Sequence, residues 1–133
     1  MKKEKIEKKA HYTQLIGNIG LFYVAYELAR RGWNVLITSR NAKGPDMIIY
    51  SRNGKLKQSI QVKASGDKDG QVSIGEPDSF TMSDFVIVIH DVYVPTKEHP
   101  MYVAATNDLT LRQQAGGAYI NKSYWGDENK KKQ

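Results

Sequence analysis

Asn53-Gly54 lies between two short runs rich in aliphatic residues, Met47–Ser51 and Ser59–Ala64. An Asn-Gly pair favours the positive φ values of a tight turn, and between strand-like runs it is a strong hairpin signal. No other feature constrains the chain as much, because a turn at a known position fixes which residues oppose one another. With a two-residue loop, cross-strand partners have numbers summing to 107: Arg52 faces Lys55, Tyr50 faces Lys57 and Asp46 faces Gln61. Direct partners have Cβ atoms roughly 4.5–5.5 Å apart. Lys63 lies two positions beyond Gln61 and shares its face, since side chains alternate along a strand. Met47, Ile49, Ile60 and Val62 then point the other way, towards a core.

The flanking sequence supplies the remaining elements. From about His11 to Arg31, Leu15, Ile16, Ile19, Phe22, Tyr23, Tyr26, Leu28 and Ala29 recur mostly every three or four residues, the pattern of an amphipathic helix. Gly17 and Gly20 weaken its first half or permit close packing there. Arg30 and Arg31 suit a helix C-terminus, and Gly32 suits the residue just after it. Trp33–Thr38 is a short strand candidate. Phe85–His90 is almost continuously apolar, as expected of a strand buried on both faces. Met101–Ala105 is a further strand, and Asn107–Gln114 a short helix ended by Gly116-Gly117. Ser65–Ser83, with its glycines and proline, reads mostly as loop with little regular structure. Helix, three strands, irregular crossover and two strands together imply an α/β domain with a mixed sheet.

At 133 residues the chain is most simply a single domain, 1–133, long enough to bury a core without cross-links. It has no Cys, which removes structural disulfides, thiolate zinc sites and thiol nucleophiles, and is consistent with a reducing cytoplasm. No apolar run approaches the ~20 residues of a membrane helix, and the charged start Met1-Lys2-Lys3-Glu4-Lys5 does not open a signal peptide. The net charge of +6 favours a polyanionic partner, nucleic acid first. Much of that excess sits in two charged tails, Lys2 to Lys9 and Lys130 to Lys132, where solvation alone is an ordinary role.

Asp46, Gln61 and Lys63 on one sheet face bring together an acid, an amide oxygen and an amine. Magnesium takes hard oxygen ligands and keeps several waters. Asp46 offers a carboxylate oxygen, Gln61 its amide oxygen and Val62 its main-chain carbonyl. A cation there (Mg²⁺ or Mn²⁺) would neutralise a phosphate and acidify a bound water, while Lys63 would orient that water or stabilise developing charge. A solvated hairpin face is the plain alternative, because Pro-Asp at a strand entrance and Gln-x-Lys both arise by chance.

Taken together, these residues resemble the PD-(D/E)XK nuclease superfamily of restriction endonucleases and Holliday-junction resolvases. Glu27-Leu28-Ala29-Arg30-Arg31-Gly32-Trp33-Asn34-Val35 resembles the end of that family's first helix and its turn into the first strand. Pro45-Asp46 resembles the PD, Gln61-Val62-Lys63 the (D/E)XK, and Ser83-Asp84-Phe85-Val86-Ile87-Val88 the later buried strand. The resemblance spans roughly residues 12–106. It implies a restriction-endonuclease-like αβββ(α)β core, with a mixed central sheet and flanking helices, and a metal-dependent DNA endonuclease acting as a homodimer. Two positions depart from the pattern. Gln61 stands in the acidic place, and Leu21 follows Gly17-Asn18-Ile19-Gly20 where relatives often carry a Glu on the first helix. Glu27 is the only acid between His11 and Arg31 and is an accessory candidate. The alternative function is a non-catalytic nucleic-acid-binding module on the same fold.

Ser39, Arg40, Asn41 and Lys43 precede Asp46 in a loop, and Lys68 follows Lys63; Arg40, Lys43 and Lys68 are the candidates for phosphate contacts. Tyr119, Tyr124 and Trp125 could stack on bases, although packing of a C-terminal segment is the simpler reading. His11, His90 and His99 have no zinc-pair spacing and read as surface or strand-end residues.

Overall fold

Why the chain folds as it does is visible first at the end of its helix. A computed structural model describes residues 2–38, 43–66, 72–75, 82–92, 98–108, 111–114 and 117–120. Helix α1 runs Lys2–Arg30. Beyond Arg30 the Trp33 amide donates to the Leu28 carbonyl at 3.1 Å and the Gly32 amide to the Ala29 carbonyl at 3.0 Å. This is a Schellman motif, and it needs a left-handed residue; Gly32, at φ 98°, supplies it. The helix begins at Lys2 rather than near His11, so the lysines of the expected N-terminal tail lie on α1. The apolar periodicity weakens before His11, and the lysine-rich segment carries no comparable stripe to read.

Strands β1 (Asn34–Ile37), β2 (Met47–Tyr50) and β3 (Lys57–Ala64) form an antiparallel meander. After β4 (Val72–Gly75), strand β5 (Phe85–Ile89) lies parallel to β3, and β6 (Met101–Ala105) is antiparallel to β5. The sheet order is β1-β2-β3-β5-β6. The domain is therefore α/β with a five-stranded mixed sheet.

The β2–β3 register agrees with the hairpin arithmetic: Met47 pairs with Ile60 and Tyr50 with Lys57. The loop itself is longer than two residues. The Ser51 amide donates to the Leu56 carbonyl and the Gly54 amide to the Ser51 carbonyl, each at 2.9 Å. Only Gly54 has a positive φ, 74°, whereas the two-residue turn expected for Asn-Gly would need one at Asn53 as well. Asn53 instead uses its side chain, whose Oδ1 accepts from the Lys55 amide at 3.0 Å and the Ser51 hydroxyl at 2.7 Å. This polar turn lengthens the loop symmetrically and preserves the register.

The core lies between α1 and one sheet face. Val24, Met47, Ile49, Ile60, Ile87, Ile89 and Val92 form its buried cluster. Burying such side chains contributes roughly 1.5–3 kcal/mol each. Gly20 sets the helix–sheet spacing: a Cβ there would sit 2.5 Å from the Cβ of Ala64 and 3.1 Å from Cγ2 of Ile89. Asp84 fastens β5 to its neighbours. Its Oδ2 accepts from the Ser59 amide at 2.9 Å, and its carbonyl accepts from the Thr106 amide at 3.0 Å.

Within Ser65–Ser83, expected to be mostly loop, the described residues include one short strand, β4. One expectation is corrected here. Asn107–Gln114 is not a helix: a short 3₁₀ turn (Thr106–Asp108) precedes strand β7 (Leu111–Gln114), which pairs with β8 (Gly117–Ile120). So short a segment cannot sustain a helix without packing, and strand pairing satisfies its backbone. Strands β4, β8 and β7 make a second, three-stranded sheet. Of the flanking helices expected, α1 is the one α-helix among the described residues. Within those residues no helix is long and apolar enough to cross a membrane.

Candidate functional site

Asp46 enters β2 through three backbone-anchored contacts. Gly44 takes a φ of 109°, which favours glycine, and turns the chain into Pro45. The Thr38 hydroxyl then donates to the Pro45 carbonyl at 2.6 Å, and the Thr38 amide to the Asp46 carbonyl at 2.9 Å. On the other side the Asp46 amide donates to the Ile60 carbonyl at 2.9 Å. The residue is thus pinned between the end of β1 and the middle of β3.

Its carboxylate reaches across the sheet. Asp46 Oδ2 accepts from Gln61 Nε2 at 3.0 Å and from the Val62 main-chain amide at 2.8 Å. Lys63 follows on the same strand, and its ammonium feels the Asp46 charge. Burial pushes the Lys63 amine below the ordinary lysine value of 10.5, and the Asp46 carboxylate partly offsets that shift. The structure therefore brings Asp46, Gln61, Val62 and Lys63 together.

Gln61 presents its amide nitrogen to the carboxylate, as donor to acceptor. Its Oε1 is consequently turned elsewhere, buried and without a hydrogen-bond partner among the described residues. Leaving such an acceptor unsatisfied costs about 1–3 kcal/mol. A hard cation or a water would remove that cost. The donors at hand are one carboxylate, one amide oxygen and the Val62 carbonyl, a set that suits a cation retaining much of its water. Among the described residues no three His, Cys, Asp or Glu side chains cluster to hold a metal on their own.

The other candidates lie apart. Glu27 is 7 % exposed, and both its carboxylate oxygens are engaged at the C-terminal turn of α1. Oε1 pairs with Arg30 at 3.5 Å and Oε2 with Arg31, which also donates to the Glu27 carbonyl at 3.0 Å. Glu27 thus serves the helix end. Leu21 packs against the core cluster. Lys43 is exposed in the loop before Asp46. Arg40, Lys68, Tyr124 and Trp125 lie outside the described residues. His90 is buried at the end of β5, its ring 5.9 Å from and edge-on to that of Tyr102, rather than at the surface. The His99 ring meets that of Tyr23 at 4.9 Å, and its amide donates to the Tyr23 hydroxyl.

Beside Lys63 a groove of about 430 Å³ opens between α1 and the carboxyl end of β3. Thr13, Ile16 and Gly17 form one wall, and Val62 to Gly66 the other. Sequence reasoning did not single out Thr13, Ser65 or Gly66. The available signal was the spacing Thr13, Gly17, Gly20, Val24, which puts four residues on one helix face. No protein-family model matches this chain, and comparison with curated proteins and with solved structures gives no match.

Proposed function

We propose that this chain is a divalent-cation-dependent DNA endonuclease of the PD-(D/E)XK type. The observation that carries the reading is the buried, unpartnered Gln61 Oε1 beside the Asp46 carboxylate and the Lys63 amine. An acceptor left open next to a carboxylate suits a cation, and a desolvated amine close by suits an anionic reacting group. The order of elements also supports it: a helix, an antiparallel meander and then a parallel strand follow the αβββ pattern that the resemblance implies.

In this reading Asp46, Gln61 Oε1 and the Val62 carbonyl would hold Mg²⁺ or Mn²⁺. The cation supplies charge neutralisation at the phosphate and a more acidic bound water. Asp46 accepts from Gln61 and Val62 and so fixes the strand geometry around the reacting phosphate. Lys63 donates to the attacking water or to a phosphate oxygen and stabilises charge as it develops. Water would add at phosphorus and give up a proton to solvent, one P–O ester bond would break, and the leaving oxygen would take up a proton from solvent.

The test is incubation of supercoiled plasmid and branched DNA with Mg²⁺, Mn²⁺ or EDTA. Metal-dependent cleavage lost in Asp46→Ala and Lys63→Ala supports the enzyme. A second reading, a DNA-binding module without catalysis, is favoured by the capture of Glu27 by Arg30 and Arg31, which leaves Asp46 as the one carboxylate of the site among the described residues. Salt-sensitive DNA binding with no cleavage under any metal would establish that reading instead. Neither binding nor cleavage would overturn both.

A further inference from the structure

Gly17 and Gly20 lie one turn apart on α1, but their surroundings differ. A glycine inside a helix costs roughly 0.5–1 kcal/mol relative to alanine. At Gly20 the compensation is close packing, since a Cβ would strike Ala64. At Gly17 no atom of the described residues lies within 4 Å of where a Cβ would stand. Among those residues, packing gives no reason for the missing side chain. The space it leaves is the groove of about 430 Å³ beside Lys63.

The lining of that groove has a definite chemistry. Thr13 and Ser65 bring hydroxyls, Gly66 its backbone and Lys63 a cation, and among the described residues no Asp or Glu lines the groove. Hydroxyl and backbone donors beside a positive charge recognise an oxygen-rich anion. The groove also lies at the carboxyl end of β3, a strand of the parallel pair β3–β5. In open α/β sheets ligands bind outside the carboxyl ends of the strands. The groove is open on its outer side, as a backbone that runs along a surface needs, and its volume of about 430 Å³ leaves room for one sugar–phosphate unit. Lys63 belongs both to this groove and to the Asp46 cluster.

We propose that this groove seats the phosphodiester backbone adjoining the reacting phosphate, and that Gly17 is the position that keeps it open. The inference rests on the endonuclease reading, and it adds where the strand runs and which residue admits it. Gly17 is a positioning residue, acting by the absence of a side chain.

The experiment uses the full chain with Gly17→Leu and Gly17→Glu, and Phe22→Glu as a charge-matched control. Phe22 is 59 % exposed and lies about 140° around the helix from Gly17, given roughly 100° per residue. Binding of a fluorescein-labelled single-stranded DNA is measured in EDTA, and cleavage in Mg²⁺, with Asp46→Ala alongside. The Gly17 variants should keep their melting temperature, because the added atoms enter open space. Their Kd should rise at least about tenfold, the scale of steric rejection in a fitted site, and more for Glu than for Leu. Phe22→Glu should stay within about twofold, because exposed charge is screened. If Gly17→Leu and Gly17→Glu bind and cut like wild type, while wild type cuts and Asp46→Ala does not, the groove inference falls and the endonuclease reading stands. If Phe22→Glu weakens binding as much as Gly17→Glu, the effect is long-range charge and the inference again falls. If wild type neither binds nor cuts DNA, both fall. Should Leu or Glu unfold the protein, Gly17→Ala, a single methyl favoured in helices, gives the same readout: weaker binding upholds the inference and wild-type binding overturns it.

Discussion

The Gln61 side-chain amide donates to the Asp46 carboxylate across 3.0 Å, tying the entrance of β2 to β3. Gln61→Glu would replace this donor–acceptor pair by two carboxylates at hydrogen-bond distance. Without a cation, one must take up a proton or repel the other. We expect Gln61→Glu to lose about 1–3 kcal/mol of stability in EDTA. We also expect Mn²⁺ or Mg²⁺ to raise its melting temperature more than that of wild type, since a ligand bound only by the folded state stabilises it. Differential scanning fluorimetry against metal concentration checks this. Equal metal responses in the two proteins would argue against a cation at this pair.

Substitution at Asp46 should separate structure from chemistry. The Val62 amide also donates to Asp46 Oδ2, at 2.8 Å. Asp46→Ala removes the acceptor for two donors and should cost roughly 1–3 kcal/mol. Asp46→Asn keeps one acceptor oxygen and should cost about 1 kcal/mol or less, yet its cleavage should fall at least ~100-fold, because the negative charge is gone. Urea unfolding and single-turnover cleavage report the two effects independently. Cleavage by Asp46→Asn at the wild-type rate would remove Asp46 from the chemistry.

Gly20→Ala should destabilise the protein although it improves helix propensity. The new Cβ would meet Ala64 at 2.5 Å, well inside van der Waals contact. Overpacking typically costs 1–3 kcal/mol, against a propensity gain of about 1 kcal/mol. The net loss should be recovered in Gly20→Ala/Ala64→Gly, a double-mutant cycle with strong coupling. Additive losses in that cycle would mean that the helix shifts to accommodate the methyl group.

The β2–β3 register was readable from sequence because it rests on alternation and on one local turn. Asp46 and Gln61 could be paired by arithmetic even though the turn has a different form, since lengthening a loop equally on both sides leaves the sum of partner numbers unchanged. Gly32 was readable for the same reason: a Schellman end is written in a few adjacent residues. The β4-β8-β7 sheet was not, because its strands are short and join segments far apart in sequence, as Val72 opposite Ile120 illustrates. Nor was the role of Glu27. Helical spacing says which way a carboxylate points, but not that Arg30 and Arg31 will fold back onto it. The opening over Gly17 is likewise a property of packing, invisible in a residue whose neighbours are unknown.

If Glu27 serves only the helix end, Glu27→Gln should leave cleavage within about twofold of wild type, as expected of a group remote from the reacting atoms. Its ion pairs with Arg30 and Arg31 are partly exposed, so the stability loss should be modest, about 1 kcal/mol or less. Thermal melts together with initial cleavage rates test this. A large loss of rate at unchanged stability would return Glu27 to the site as an accessory.

Lys63 makes stability depend on pH in a particular direction. Its folded-state value lies below the ordinary 10.5, chiefly through burial. Between the folded value and 10.5 the unfolded chain binds more protons at this position than the folded one. Stability must therefore rise with pH across that window, while below it the full cost of burying the charge remains. Lys63→Met keeps much of the chain length and removes the charge. It should be more stable than wild type at neutral pH, by roughly 1 kcal/mol, and the advantage should shrink as pH climbs towards 10.5. The quantity to follow is the difference in urea midpoint between the two proteins in EDTA, from neutral to alkaline pH, because titration of the other lysines and tyrosines cancels in it. A difference independent of pH would show that the Lys63 ammonium is as well solvated in the folded protein as in the unfolded chain. Its proposed role beside Asp46 would then have to be met by an exposed, fully charged amine.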